Sequence, residues 1–296
     1  MMANSRVTIN IFTDPMMGLS YESEPFLRKL ETHYPDHLHF EYKMSLLVRD
    51  VRDFMNQEEL SLPFDQGIAR YNQRLAQIYK SEEHISSLPI NMNGFHLFST
   101  ENTSSLPLNL AYLAVKRIAP DLAEQFLYRL RYATIAECRP TTQLDELCDV
   151  AAKLSINLDS FKRLLKSDLV KSDLMQSLQQ RRSLGIRGLP AYLLEYEGRK
   201  SLVSGVADFS LLSNAIQQIT EHKLPLSAVR QDLQALQALL AKHPLISPVE
   251  IREALDLPSL DSVEALLHPM IESRECEIRH VPGGWFIEWG GVCRQA

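Results

Sequence analysis

Apolar positions recur at two spacings along the chain, and the change between them outlines the fold. Val7, Ile9 and Ile11 alternate with polar neighbours, which predicts a strand over 6–12. Phe26, Leu27 and Leu30 follow helical spacing and predict a helix over 20–33, with Pro25 in its early turns. Leu38, Phe40 and Tyr42 then alternate with His39, Glu41 and Lys43, a second strand. Two strands joined through a helix are expected to lie parallel with a right-handed connection.

From about 46 to 184 the pattern is almost wholly helical. The spacing predicts helices over Phe64–Tyr79, Leu106–Ile118, Leu122–Tyr132, Thr142–Lys153 and Leu158–Ser167. Asp121 and Asn157 stand where N-caps belong. Asn91-Met92-Asn93-Gly94 is a turn cluster, expected on the ligand side. Tyr192–Leu194 then reads as a strand, Glu197-Gly198 as a hairpin turn, Leu202-Val203 as the next strand and 208–220 as a helix. An α/β fold split by a large helical insertion follows for residues 1–222.

Residues 227–296 read as a second, smaller domain. Val229–Ala241 is amphipathic, and Ser247-Pro248-Val249-Glu250 is a capping box with proline at the first helical position. A further helix begins at Ser259, with Pro269 expected to kink or end it. Cys276–Val281 and Trp285–Trp289 flank Pro282-Gly283-Gly284 as a hairpin. Helix, short helix, helix, hairpin is the order of a winged helix. A DNA reader is not expected. The domain holds six Lys/Arg against ten Asp/Glu, and the helix in the recognition position, 259–271, has no Lys or Arg to meet phosphates. A protein-docking module, or a homodimer formed through this domain, is the expected use.

Composition narrows the classes further. At 296 residues, 45% hydrophobic and 23% charged, the chain is globular and longer than one ordinary domain. Its net charge of −6 gives no sign of a nucleic-acid partner. Neither a leader-like opening nor an apolar run of membrane-spanning length is found, so a soluble, cytoplasmic protein is expected. The four cysteines, Cys138, Cys148, Cys276 and Cys293, form no Cys-x-x-Cys pair and are expected as thiols, although Cys276 and Cys293 flank the last hairpin. Arg139 beside Cys138 is a feature that lowers a thiol pKa. No metal motif, phosphate loop or dinucleotide fingerprint is present.

Between the first strand and helix lies Thr13-Asp14-Pro15-Met16-Met17-Gly18-Leu19-Ser20-Tyr21, followed by Glu24-Pro25. A helix starting here points free N–H groups into the turn, the place where thiol-redox proteins stabilise a thiolate. The stretch resembles the DsbA family of thioredoxin-like proteins, in particular its cytosolic FrnE-like branch, which reads Asp-Pro-Met-Cys-Gly-Trp-Cys-Tyr. Asp14, Pro15, Met16, Gly18, Tyr21, Glu24 and Pro25 are in register, while Met17 and Ser20 occupy the two cysteine positions. Ser105–Lys116 and 136–161 are similar to family segments in a more diffuse way. The resemblance also implies that Leu189–Pro190, after Gly188, is a cis peptide facing the turn.

What the resemblance implies is a thioredoxin-like fold with a groove lined by Pro15, Met16, Met17, Gly18, Leu19 and Ser20 on one side and Leu189 and Pro190 on the other. A thioether neither ionises nor forms a disulfide, so dithiol chemistry is lost there. The implied function is non-redox binding of a protein or peptide, an adaptor role that a DsbA-like fold can serve. One alternative is a glutathione-dependent isomerase or transferase, similar to the hydroxychromene-carboxylate isomerase and kappa type, with Ser20 and Tyr21 as catalytic residues and glutathione as cofactor. Met17 departs from that type's sulfur-facing serine, which leaves Ser20 as a simple N-cap. The other alternative is residual thiol–disulfide exchange through the remaining cysteines.

Overall fold

A computed structural model describes residues 6–290. The elements in order are β1 (Val7–Thr13), α1 (Gly18–Tyr21), α2 (Glu24–His33), β2 (Leu38–Met44), α3 (Gln57–Leu60), α4 (Phe64–Glu82), α5 (Leu106–Ile118), α6 (Ala123–Ile135), α7 (Leu144–Ala152), α8 (Leu158–Leu165) and α9 (Asp168–Ser183). They continue with β3 (Ala191–Tyr196), β4 (Arg199–Ser204), α10 (Phe209–Ile219), α11 (Leu233–Lys242), β5 (Leu245–Ile246), α12 (Pro248–Ala254), α13 (Leu260–Glu272), β6 (Cys276–Val281) and β7 (Gly284–Trp289).

The main sheet has the order β2-β1-β3-β4. β1 pairs parallel with β2, Val7 opposite Leu38, and antiparallel with β3, Ile9 opposite Leu194. β1 and β2 are parallel, as expected, with α1 and α2 between them, and β3–β4 is the expected hairpin. Helices α3–α9 form the insertion between β2 and β3. No helix among the described residues is long and apolar enough to cross a membrane.

Several local expectations are corrected. The helix expected over 20–33 is two helices broken at Glu22–Ser23. Pro25 has no N–H to bond back into the preceding turn, so it starts α2 instead of continuing α1. Asp121 caps nothing: it lies in a 3₁₀ turn, Pro120–Leu122, and α6 follows with no side-chain cap. Asn157, in contrast, accepts the Ser160 N–H as a cap. α11 begins at Leu233, later than its apolar pattern, because the Asp232 carboxylate accepts the Ala235 N–H. Pro269 is accommodated within α13, which runs on to Glu272.

The C-terminal unit builds a small sheet, β5-β7-β6, around its own core of Leu236, Leu240, Ile251, Val263 and Leu267. It also inserts Leu245, Val249 and Phe286 into the main core. Phe286 is fully buried and meets the Tyr132 ring edge-on, with centroids 4.7 Å apart. Arg28 lies buried among four carboxylates: Glu24 (2.8 Å), Glu124 (3.0 Å), Glu31 (3.3 Å) and Glu250 of the C-terminal unit (3.5 Å). Glu250 is the capping-box residue of α12, so a local cap also serves as a long-range ion partner. His243–Glu31 (2.7 Å) and His33–Asp256 (2.8 Å) continue the seam.

Both tryptophans lie on β7, so their fluorescence reports the C-terminal unit while far-UV circular dichroism reports the helical body. Wild-type protein should show one urea transition by both probes. Phe286→Ala should cost about 3–5 kcal/mol and move the fluorescence transition below the dichroism transition. Coincident, unshifted transitions in the variant would contradict a shared core.

Candidate functional site

β1 ends at Thr13, and the turn that follows is fixed by Asp14, which is fully buried. Its Oδ1 accepts the Met16 N–H at 3.1 Å. Its Oδ2 accepts the Leu47 N–H (2.8 Å), the Ser105 hydroxyl (2.7 Å) and the Asn109 amide (2.8 Å). Burial raises the Asp14 pKa by more than these donors lower it. The turn is thereby tied to the loop after β2 and to the first turns of α5.

The helix beyond the turn is closely covered. A Cβ on Gly18 would stand 2.0 Å from Glu82 Oε2 and 2.6 Å from Tyr79 Cδ1, so only glycine lets α4 lie this near. The Tyr79 hydroxyl donates to the Met16 carbonyl. Ser20 is not an N-cap: it is the third residue of α1, buried, and its hydroxyl accepts from Thr13 at 2.7 Å. Arg131 donates to the same Thr13 hydroxyl at 2.8 Å and also pairs with Glu24. Tyr21 is buried and donates to the Pro89 carbonyl at 2.9 Å. Burial, then the charges of Glu22 and Glu250, push its pKa far above the usual tyrosine range. Neither hydroxyl is presented to a ligand.

Met17 is 7% exposed and packs with Phe12, Ile186, Leu189, Ala191 and Leu193. The Leu189–Pro190 peptide is cis. Met17 and Leu189 do come together, but as one apolar cluster that joins the two loops. The cavity at the turn opens on the other side. It holds about 180 Å³ and is lined by Met16, Met17, Gly18 and Leu19, by Leu47 and Val48, and by Phe54, Tyr71, Ile78, Tyr79 and Glu82 from the insertion. Leu189, Pro190, Pro15 and Ser20 are not part of its wall. Sequence reasoning missed the insertion's wall; the helical periodicity of 64–79 shows a buried face without showing what it faces. Phe54 and Ile78 are more than 40% exposed and form an apolar rim. The 91–94 loop lines a different, larger cleft against α4.

Glu82 Oε2 is buried without a hydrogen-bond partner, and burial pushes its pKa up to about 7. Glu22, raised to about 8, is buried too; its bonds from Ser86 oppose the shift, and the charges of Glu83 and Glu82 add to it.

The described cysteines are poorly placed for thiolate chemistry. Burial raises the pKa of Cys138 and Cys148 and, with the charge of Glu275, pushes Cys276 up to about 11. Arg139 does not lower that of Cys138, because its guanidinium is bonded to Glu137, Glu146 and Asp149. Cys293, and with it any pairing with Cys276, lies outside the described residues. Glu31, Glu124 and His243 bring ligand atoms within 4.8 Å of one another. Arg28 already bonds both glutamates and supplies the positive charge there.

The raised glutamates give a signed pH dependence. Between about pH 4.5 and 8 the unfolded chain releases protons that native Glu22 and Glu82 retain, so their contribution to stability falls as pH rises. The Glu22→Gln/Glu82→Gln variant should lose that contribution. Its urea midpoint relative to wild type should therefore rise from pH 5 to pH 8; a constant difference would contradict the burial of these carboxylates.

The thioredoxin family model matches residues 10–214, more than two-thirds of the chain. The ClpXP adapter protein SpxH of Halalkalibacterium halodurans is 22% identical over 275 residues, covering 91% of this chain and 84% of its own. A putative protein disulfide isomerase from Nitrosomonas europaea superposes with a TM-score of 0.60 at 17% identity, covering 74% of this chain and 99% of its own. The cytosolic disulfide reductase DsbM of Pseudomonas aeruginosa gives 0.54 at 17% identity, covering 72% and 99%. The chain belongs to the thioredoxin family, with Met17-Gly18-Leu19-Ser20 at its turn.

Proposed function

We propose that this protein is a non-redox, protein-binding member of its family: an adaptor that holds a segment of a partner at the turn, with residues 227–296 as an accessory domain fixed to the 1–222 body. The observation that carries this reading is the state of the two positions where a dithiol would stand. Met17 is packed into an apolar cluster and the Ser20 hydroxyl is bonded to Thr13, while an apolar cavity with an exposed Phe54–Ile78 rim remains beside them. Apolar rims of this kind mark interaction sites. The extent of the adapter relative adds support. A match covering 91% of this chain must run past residue 226 into the C-terminal unit, whereas the two superposed structures cover 72–74%.

The immobilised protein should capture one stoichiometric protein partner from a lysate of its source, and Phe54→Arg/Ile78→Arg should release it. A partner held equally well by the variant, or no partner at all, would contradict the reading. Reduced glutathione, titrated calorimetrically, should give no saturable heat, because the Ser20 and Tyr21 hydroxyls are already engaged. Sub-millimolar binding would favour an isomerase or transferase.

A further inference from the structure

The chain's positive charges are mostly neutralised, with one concentrated exception. Nineteen arginines lie among residues 6–290, and twelve of them have a carboxylate ion partner. Seven have no ion partner among the described residues, and four of those, Arg49, Arg181, Arg182 and Arg187, lie at one edge of the molecule. Arg181 defines the place. Its guanidinium donates to the carbonyls of Ser45 (3.0 Å), Ile186 (3.3 Å) and Arg187 (3.3 Å), stitching the end of α9 to the loop after β2 and to the approach to Leu189–Pro190. These bonds fix its position and leave its charge unmatched. Burial and the nearby charges of Arg49 and Arg182 all lower its pKa. Asp50, the acid next in sequence to Arg49, is bonded to Arg52. Arg49, Arg182 and Arg187 are exposed.

Arg49, Arg181 and Arg182 are like charges that act on one another without counter-ions, Arg187 adjoins them through its carbonyl, and a bound anion relieves that repulsion. The patch runs against a net charge of −6, so it is not a general property of the surface. It also adjoins the cavity at the turn: Leu47 packs in the Met17–Leu189 cluster and lines the cavity, and Arg49 follows two residues later. Guanidinium groups match carboxylates with paired hydrogen bonds. Four cations neutralise too few phosphates to hold a nucleic acid on an acidic protein. We infer that the edge formed by Arg49, Arg181, Arg182 and Arg187 binds an acidic peptide segment of the partner, its carboxylates on the guanidinium groups and an apolar side chain in the cavity beside Leu47. This names the partner's chemistry and rests on the adaptor reading above.

The test is fluorescence anisotropy on the full chain with a fluorescein-labelled, amidated peptide, Leu-Glu-Glu-Leu-Phe-Glu-Glu-Leu, and its counterpart with every Glu replaced by Lys. The acidic peptide should bind at least about tenfold more tightly than the basic one, and binding should weaken with added salt. Arg182→Glu/Arg187→Glu, both exposed, should fold normally by circular dichroism and weaken binding by at least about tenfold. Arg163→Glu, an exposed arginine elsewhere that also lacks an ion partner, should leave it within about twofold. Equal binding of the two peptides, no saturable binding of the acidic one, or an unaffected Arg182→Glu/Arg187→Glu variant would overturn the inference. So would an octanucleotide that displaces the peptide at equal charge concentration. A captured partner that is released by Phe54→Arg/Ile78→Arg but retained by Arg182→Glu/Arg187→Glu would overturn this inference while leaving the adaptor reading intact.

Discussion

Asp14 sits at the end of the central strand with no exposed surface, and its two oxygens accept four donors from the turn, the loop after β2 and α5. Removing a carboxylate from water is costly, and it is tolerated when several donors replace the lost hydration. Once those donors converge, the turn is tied to α5 and the loop between β2 and α3 cannot move independently of it. The close approach of α4 to Gly18, the bond from Tyr79 to Met16 and the wall of the cavity are all compatible with that one arrangement. The constraint acts on backbone position and does not depend on which side chains follow at 17 and 20.

On the proposed reading, the turn keeps its shape without dithiol chemistry. The Met17 thioether joins the apolar cluster around Leu189. Ser20 turns its oxygen inward to Thr13, into a chain of bonds that continues through Arg131 to Glu24 and so reaches the glutamates around Arg28. That buried ion cluster is also the seam to the C-terminal unit, where Glu250 arrives from α12. Burying so many charges gives little net stability by comparison with apolar packing.

Legibility in the sequence followed the range of each interaction. The β1–α–β2 unit, the β3–β4 hairpin, the limits of α5, the Asn157 cap and the Ser247–Glu250 capping box depend on neighbours within a few residues, and each was readable. The break at Glu22–Ser23 was less so, because Pro25 fits inside a first turn as well as it starts one. Arg28 and Arg131 look like surface charges on helical patterns; α2 itself places Glu24 and Glu31 beside Arg28, but only the tertiary fold brings Glu124 and Glu250 to it and Glu24 to Arg131. Asp14 was legible as a motif residue, but three of its four partners lie 33 to 95 positions away. The turn itself was identified, whereas the far wall of its cavity was not, since periodicity shows that α4 buries a face and not which face of the protein receives it. The arginine edge assembles residues 49 and 181–187, which no local pattern relates.

A non-redox protein should exchange no disulfides through any of its cysteines. Insulin reduction by dithiothreitol, followed as turbidity with and without this protein at equal thiol concentration, measures that directly. The account predicts no acceleration over dithiothreitol alone. An acceleration that disappears when Cys138, Cys148, Cys276 and Cys293 are replaced by serine would contradict it.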